Sequence, residues 1–580
     1  MLTFSNLGKK SIAHQADASA PSSLSAQALI FTSHEDLAGL PSPIARFRDD
    51  LIGEQLSTKV CPAQLDSGQW VIFVTPDYIN SDLVKTAEEK SIIEGGSKQK
   101  PLIQMITPTL LLTLREDDPS KSSSYREKET VTAYKAAFHE IITWGIRNNA
   151  SDAHLNVHLN EPYSQVCFSI EGKYIAPERW KIKTDRMIEI LNVAWMDSKG
   201  GSSPVFSADS EQQCRIEVLV DHSRVMARWA SLATDSGPSV TLRLLRIDVK
   251  SVNKSLADQG YLPSQIKMLE RVQMSEGGSF IIAGVVGSGK STTLANLLSA
   301  LPNTRKVITL EDPVEYRIPN ALQNTISRSL EGNDSQAFES KLRTIKRSAP
   351  HDLMIGEIRD PETAKAFVDI VGSGTSIYST VHAKSAMHIP ERLSSSSIGI
   401  PRDLLGSPGI LNLLVFQALI PTLCQHCALP LDTLCEKGGQ DIRGIMHDPA
   451  HWKAYKKLIG GMYSVSTDQL KVRNTDGCEH CKRADLPELN GYSGRTVVAE
   501  MIEPGTDLQV LKLIRNGDTI GLQQYFENYP KAPINDPDMT GKSLMECAVY
   551  KMLMGLFDPR DVEVRTHSFE TVALQKGYRP

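Results

Sequence analysis

Eight consecutive residues, Gly284-Val285-Val286-Gly287-Ser288-Gly289-Lys290-Ser291, fit the spacing G-x-x-x-x-G-K-S of a phosphate-binding loop. Glycines at 284, 287 and 289 let the backbone curl until its N–H groups face a phosphate. A helix starting behind the loop adds the partial positive charge of its N-terminus. In that arrangement Ser288 and Thr292 lie against the phosphates and Lys290 reaches the β- and γ-phosphates. The Ser291 hydroxyl ligates Mg²⁺.

Transfer of a phosphoryl group to water also needs a metal, positive charge on the phosphates and an oriented water. Glu357 follows the apolar run Leu353-Met354-Ile355 and a glycine, and is the candidate for orienting and activating that water. Glu311, Asp312 and Glu315 form a second acidic cluster behind Val307-Ile308-Thr309-Leu310, suited to Mg²⁺ and its water shell. His382 follows Ser376–Thr380. It has two readings, a group that senses the γ-phosphate or a structural histidine.

A second constellation is made of cysteines. Cys424-Gln425-His426-Cys427 and Cys478-Glu479-His480-Cys481 are two C-x-x-C knuckles, the spacing with which four thiolates hold Zn²⁺ in a tetrahedral cage. His426 and His480 inside the knuckles are alternative ligands, and a redox pair is an alternative use of the thiols. Cys61, Cys167, Cys214, Cys435 and Cys547 have no such spacing and read as ordinary buried thiols.

These residues need elements to hold them. Phe280-Ile281-Ile282-Ala283 predicts a buried strand before the loop and Thr292–Leu298 a helix after it. With the three further strands already named, each ending at a polar cluster, the pattern predicts a parallel sheet covered on both faces. Ligands of such sheets bind at the carboxyl ends of the strands, where all four clusters converge. Upstream, Tyr134, Ala137, Phe138, Ile141 and Gly145 have helical spacing. Gln165–Ile170, Arg215–Val220 and Ser239–Leu245 alternate as strands. The Ser/Pro/charge run 116–130 reads as a linker. Ahead of it, Trp70–Val74 and Leu110–Leu112 are strand-like runs of a small α/β or α+β domain, and residues 1–30 are Ser/Ala-rich with little periodicity. The expected plan is α/β with a domain over 1–115, a linker over 116–130 and a mixed α/β domain over 131–250. A nucleotide domain follows over 255–580, with the zinc clip at 424–481.

The composition limits the partners. A chain of 580 residues with 41% apolar residues builds several cores, and its net charge of −5 argues against nucleic acid. No run of about 18 apolar residues occurs, and no apolar region follows the first lysines, so neither a membrane span nor a signal peptide is expected. Nine cysteines without a signal predict a reducing cytoplasm.

Taken in order, the loop, Ile308-Thr309-Leu310-Glu311-Asp312-Pro313-Val314-Glu315-Tyr316, Ile355-Gly356-Glu357-Ile358-Arg359-Asp360 with Glu362-Thr363-Ala364, and Ser379-Thr380-Val381-His382-Ala383 resemble the Walker A, Asp box, Walker B and His box of the bacterial secretion and type IV pilus ATPases. The paired knuckles, followed by Gly491-Tyr492-Ser493-Gly494-Arg495 and Glu500, resemble the GspE/PilB-like branch that drives type II secretion and pilus extension. Ala150-Ser151-Asp152-Ala153-His154 is similar to an element of the domain that precedes the motor in that family. The resemblance covers roughly residues 130–570.

The resemblance implies a RecA-like ATPase domain behind a PAS-like domain. It implies a homohexamer using ATP and Mg²⁺, and a cytoplasmic location at the inner membrane through a platform protein. It also implies arginines that reach the phosphates from the domain before the motor; the matching positions are Arg228 and Arg243. The chain departs from the family at Val285-Val286, Ser291, Ala349-Pro350-His351 and Thr375. Thr375 stands where the first His-box histidine usually does. The function implied is ATP-driven assembly of a type IV pilus. The alternatives are a type II secretion motor, a retraction motor, a DNA-translocating motor and a non-catalytic scaffold.

Overall fold

A computed structural model describes residues 30–579, apart from 33, 54–55, 97–99, 117–125, 202, 247–253, 313, 327–333 and 484. The chain forms two compact units, Met1–Ala137 and Phe138–Pro580.

The first unit holds a four-stranded sheet, β1 (Ile44–Phe47), β2 (Val60–Leu65), β3 (Trp70–Val74) and β4 (Leu102–Met105), in that order. β3 and β4 run parallel and are joined by the helix Asp82–Gly95. The run Leu110–Leu112, expected as strand, lies in the helix Pro108–Glu116. Uninterrupted leucines carry no period of their own. The turn decides: Pro108 fixes a helical φ at the first position, and the Leu110 N–H donates to Thr107 Oγ1 at 3.3 Å. Of the linker expected over 116–130, residues 117–125 lie outside the described ones, and a helix already begins at Arg126 and runs to Arg147.

In the second unit, Phe138, Ile141 and Trp144 of that helix are buried. Phe138 meets Trp229, and Trp144 meets Phe168 at a centroid distance of 4.5 Å. Gly145 lets the helix approach: a Cβ there would lie about 3 Å from Leu244 and Phe168. The sheet it covers is antiparallel: β5 (Ala150–Asn156), β6 (Tyr163–Ile170), β7 (Lys173–Ile175), β8 (Lys181–Lys183), β9 (Gln212–Val220), β10 (Ser223–Leu232) and β11 (Ser239–Arg246). Their order is β7-β6-β5-β11-β10-β9, with β8 beside β6. The expected strands all fall within it. Alternate residues of β9 and β10 are buried, as a half-covered sheet requires. Arg228 stands opposite Arg215 on one side and Arg243 on the other, and Arg243 stands opposite Asp152. Directly paired residues share a face, so these four side chains form one row across the sheet.

The four strands expected around the phosphate-binding loop are present, β12 (Ser279–Ala283), β13 (Val307–Glu311), β15 (Asp352–Ile355) and β16 (Ser376–Val381), and two that were not expected join them, β14 (Ala321–Thr325) and β17 (Leu411–Leu423). The residues between the cysteine knuckles contribute the short β18 (Leu429–Pro430), β19 (Gly439–Gln440), β20 (Met446–His447) and β21 (Lys471–Val472), before β22 (Tyr492–Ile502). The large sheet runs β14-β13-β15-β16-β12-β17-β22, parallel except for β22, which is antiparallel to β17. Ile281 and Ala283 enter one apolar core, Phe280 and Ile282 the other. The sheet is therefore covered on both faces, as its unbroken apolar strands require.

Candidate active site

The loop lies between β12 and the helix Lys290–Ser299. Gly284 (φ 154°) and Gly289 (φ 86°) occupy backbone regions that side chains avoid. At Gly284 a Cβ would also collide with the Gln417 carbonyl and the Ser288 hydroxyl. Lys290 bends back over the loop, its Nζ donating to Gly284 O at 2.8 Å and Val285 O at 3.1 Å. Burial lowers the pKa of this ammonium, opposed by the charges of Glu357 and Glu315. Ser288 is buried, while Ser291 and Thr292 are partly exposed. Thr292 Oγ1 donates to Tyr316 OH at 3.1 Å.

A buried polar network supports the loop from below. Gln417 of β17, fully buried, donates from Nε2 to Ser288 O at 2.6 Å. Its Oε1 accepts from Tyr261 OH at 2.5 Å and from Thr293 Oγ1 at 3.1 Å. Sequence reasoning passed over Gln417 and Tyr261. The available signal was a glutamine inside the otherwise apolar run Leu413–Ile420, since such a group persists in a core only when its hydrogen bonds are met.

The other strand ends converge beside the loop. The Gly356 N–H donates to Leu310 O at 2.8 Å and the Ile358 N–H to Thr380 O at 2.9 Å. These bonds tie the residues on both sides of Glu357 to β13 and β16. Glu357 Oε1 lies 3.4 Å from His382 Nε2. Arg359 faces three carboxylates, Asp312 at 3.6 Å, Asp360 at 3.7 Å and Glu357 at 3.9 Å. Asp312 keeps partial exposure. Glu311 is buried, its Oε1 accepting from Thr309 Oγ1 at 2.6 Å and Gln323 Nε2 at 3.1 Å. Burial raises its pKa; the Thr309 and Gln323 hydrogen bonds pull the other way. Of the carboxylates behind β13, Asp312 and Glu315 are thus the accessible ones.

The two arginines ahead of the motor part ways. Arg228 Nη1 donates to Asp312 O at 3.2 Å, and Nη2 lies 3.9 Å from Asp312 Oδ1. Arg243 instead donates from Nε to Asp152 Oδ1 at 3.1 Å, within its own sheet. The fold of one chain brings Arg228 to the acidic cluster and leaves Arg243 outside it. Thr375 is buried and donates from Oγ1 to Pro350 O at 3.1 Å.

Cys424, Cys427, Cys478 and Cys481 come together with all four sulfurs within 4.8 Å of one another. Three of the Sγ···Sγ distances are 3.8, 3.6 and 3.7 Å. A tetrahedron with Zn–S bonds of about 2.3 Å has sulfurs about 3.8 Å apart, so the donor set fits that ion. The same distances are far above the roughly 2.05 Å of a disulfide. Burial raises the Cys481 thiol, but N–H bonds from Cys478 at 3.2 Å and Gly491 at 3.3 Å, with the neighbouring cysteines, bring it down to about 7. His426 and His480 stack on each other at 3.9 Å, and neither imidazole belongs to the group of converging ligand atoms. The other five cysteines are buried. Among the described residues no helix is long and apolar enough to cross a membrane.

The family model of the type II/IV secretion system proteins matches residues 127–535. The type II secretion system protein E of Pseudomonas aeruginosa is 29% identical over 428 residues, 73% of this chain and 76% of that protein. That of Pectobacterium carotovorum subsp. carotovorum is 31% identical over 373 residues, 64% of this chain and 65% of that protein, so just under two thirds of this relative is spanned. The X-ray structure of the Legionella pneumophila ATPase DotB aligns at 16% identity with a TM-score of 0.45, over 77% of this chain and 97% of that one.

Proposed function

The chain belongs to the type II/IV secretion system protein family, and from that premise we propose that it is a homohexameric cytoplasmic ATPase that drives assembly of a type IV pilus through an inner-membrane platform protein. The observation that carries the ATPase reading is the convergence of the loop, Glu357, Asp312 and His382 at the strand ends of one sheet. The loop N–H groups and Lys290 bind and orient the β- and γ-phosphates of ATP. Ser291, with the Asp312 and Glu315 carboxylates, holds Mg²⁺, which neutralises charge developing on the transferred phosphoryl group. Glu357 orients the attacking water, and His382, whose Nε2 lies 3.4 Å from Glu357 Oε1, stands on the γ-phosphate side. The sheet over 150–246 is a PAS-like arm that presents Arg228, and on closure or in a neighbouring subunit Arg243.

Two further parts complete the reading. The four cysteines hold one structural Zn²⁺ per chain. Elemental analysis of the purified protein should find about one zinc, and Cys478→Ser should lose it and lower the melting temperature by several degrees, as expected where a bound metal contributes folding energy. A folded wild type without metal would contradict this assignment. Residues 1–115 are the docking arm for the membrane partner.

The relatives named as type II secretion proteins favour a second reading, the same motor serving secretion. Gene deletion separates the roles. Loss of pili supports the assembly motor, loss of secretion with pili retained supports the second reading, and hyperpiliation would indicate a retraction motor and overturn both. Removing residues 1–115 should preserve ATP hydrolysis and abolish recruitment to the membrane.

A further inference from the structure

Glu500 lies on β22, opposite Phe416 of β17, and is 8% exposed. Its two carboxylate oxygens accept from two backbone N–H groups, Oε1 from Ala386 at 2.6 Å and Oε2 from Leu544 at 2.9 Å. Among the described residues Glu500 makes no ion pair. A buried carboxylate without a cation is unfavourable unless hydrogen bonds satisfy it.

The donors explain why the group must be a carboxylate. Leu544 is the first residue of the helix Leu544–Leu553, where an N–H has no partner within the helix. Ala386 is fully buried in the turn before the helix Ile389–Ser394, so its N–H has no water to turn to. An ionised glutamate only accepts. A glutamine would place its NH₂ against one of the two donors, leaving that N–H unmet.

Ala386 follows His382 by four residues. Upstream, that span is fixed by β16, which lies between β15 and β12 in the sheet. Downstream, the Glu500 bond to Ala386 holds it. We propose that Glu500 is a positioning residue for His382, clamping the turn that carries it to the start of the helix Leu544–Leu553 and so keeping the imidazole against Glu357. The phosphate-binding loop is held separately, by Gln417. Loss of the Glu500 clamp therefore disturbs turnover and leaves nucleotide affinity in place.

This inference rests on the reading of His382 as a group on the γ-phosphate side, and the test separates the two. In the full-length protein, kcat and the affinity for a fluorescent ATP analogue are measured for the wild type, Glu500→Gln, His382→Ala and the double variant. The expected result is a fall in kcat of about 10- to 10²-fold in Glu500→Gln, the scale of a misplacement of about 1 Å, with affinity unchanged within about two-fold. In the double variant kcat should equal that of His382→Ala alone. If His382→Ala leaves kcat unchanged, the reading of His382 fails. If it lowers kcat but Glu500→Gln lowers it by the same factor in both backgrounds, or not at all, the clamp is overturned while that reading stands. Should Glu500→Gln not fold, Glu500→Asp takes its place in the same four-way comparison. It is acceptor-only but one methylene too short to reach both amides, and equal factors in the two backgrounds again overturn the inference.

Discussion

Replacing Arg228 with alanine should lower ATP turnover by about 10³-fold, the lower end of what an arginine directed at a transferring phosphoryl group contributes. Arg228 belongs to β10 yet reaches Asp312, beside the loop, through Nη1 at 3.2 Å to the backbone oxygen. Its guanidinium is thus held at the edge of the site by a hydrogen bond and not by diffusion of the arm. Arg243→Ala should act by a different route. In the single chain Arg243 is engaged by Asp152, so its charge reaches the phosphates only after closure of the arm or from a neighbour. If a neighbour presents Arg243, the activity that depends on it should rise with protein concentration as the ring assembles; if closure of the arm presents it, that activity, like the Arg228 effect, should be the same at every concentration. Steady-state hydrolysis across a dilution series measures both. Undiminished turnover in Arg228→Ala would remove the arm from the chemistry.

Glu357→Gln should bind ATP and fail to hydrolyse it, with turnover reduced by about 10²-fold or more, the usual contribution of a positioned acid or base. The amide keeps the shape and can still meet His382, whose Nε2 lies 3.4 Å from Glu357 Oε1, but it no longer attracts the proton of the attacking water. Lys290→Ala should differ in kind: it removes the ammonium that folds over Gly284 O and Val285 O, and nucleotide binding itself should weaken. Titration with a fluorescent nucleotide beside single-turnover hydrolysis separates the two. Normal turnover in Glu357→Gln would move the water-activating role elsewhere, to an accessible carboxylate such as Asp312.

Some of this was legible because it depends on local rules. Glycines at 284, 287 and 289 before Lys290 supply the positive-φ backbone that a phosphate cradle needs, and the apolar strands β12, β13, β15 and β16 were readable as short unbroken runs ending in polar residues. The cysteine knuckles were legible because two matched spacings fit one tetrahedral donor set. Leu110–Leu112 was misread because an apolar triplet has no period, and a proline two residues upstream settled the matter.

What the sequence determined by itself is the chemistry on offer: a phosphate cradle, strand-end carboxylates and four converging thiols. Each is specified by residue type at fixed spacing, and spacing along a strand or turn translates directly into position. Only the tertiary structure decided which of these groups are free to act. Glu311 and Asp312 are neighbours in the chain, yet one is buried against Thr309 and Gln323 while the other faces Arg228 and Arg359. Arg228 and Arg243 were equivalent in the sequence; the pairing of β11 with β5 sets Arg243 opposite Asp152, while Arg228, one strand further along the sheet, meets Asp312. Gln417 and Glu500 carry no motif chemistry of their own. Their partners, Ser288 for one and Ala386 and Leu544 for the other, come from distant segments. Hydrogen bonds between segments far apart in the chain leave no periodicity to read, because only the assembled sheet brings those donors and acceptors within 3 Å.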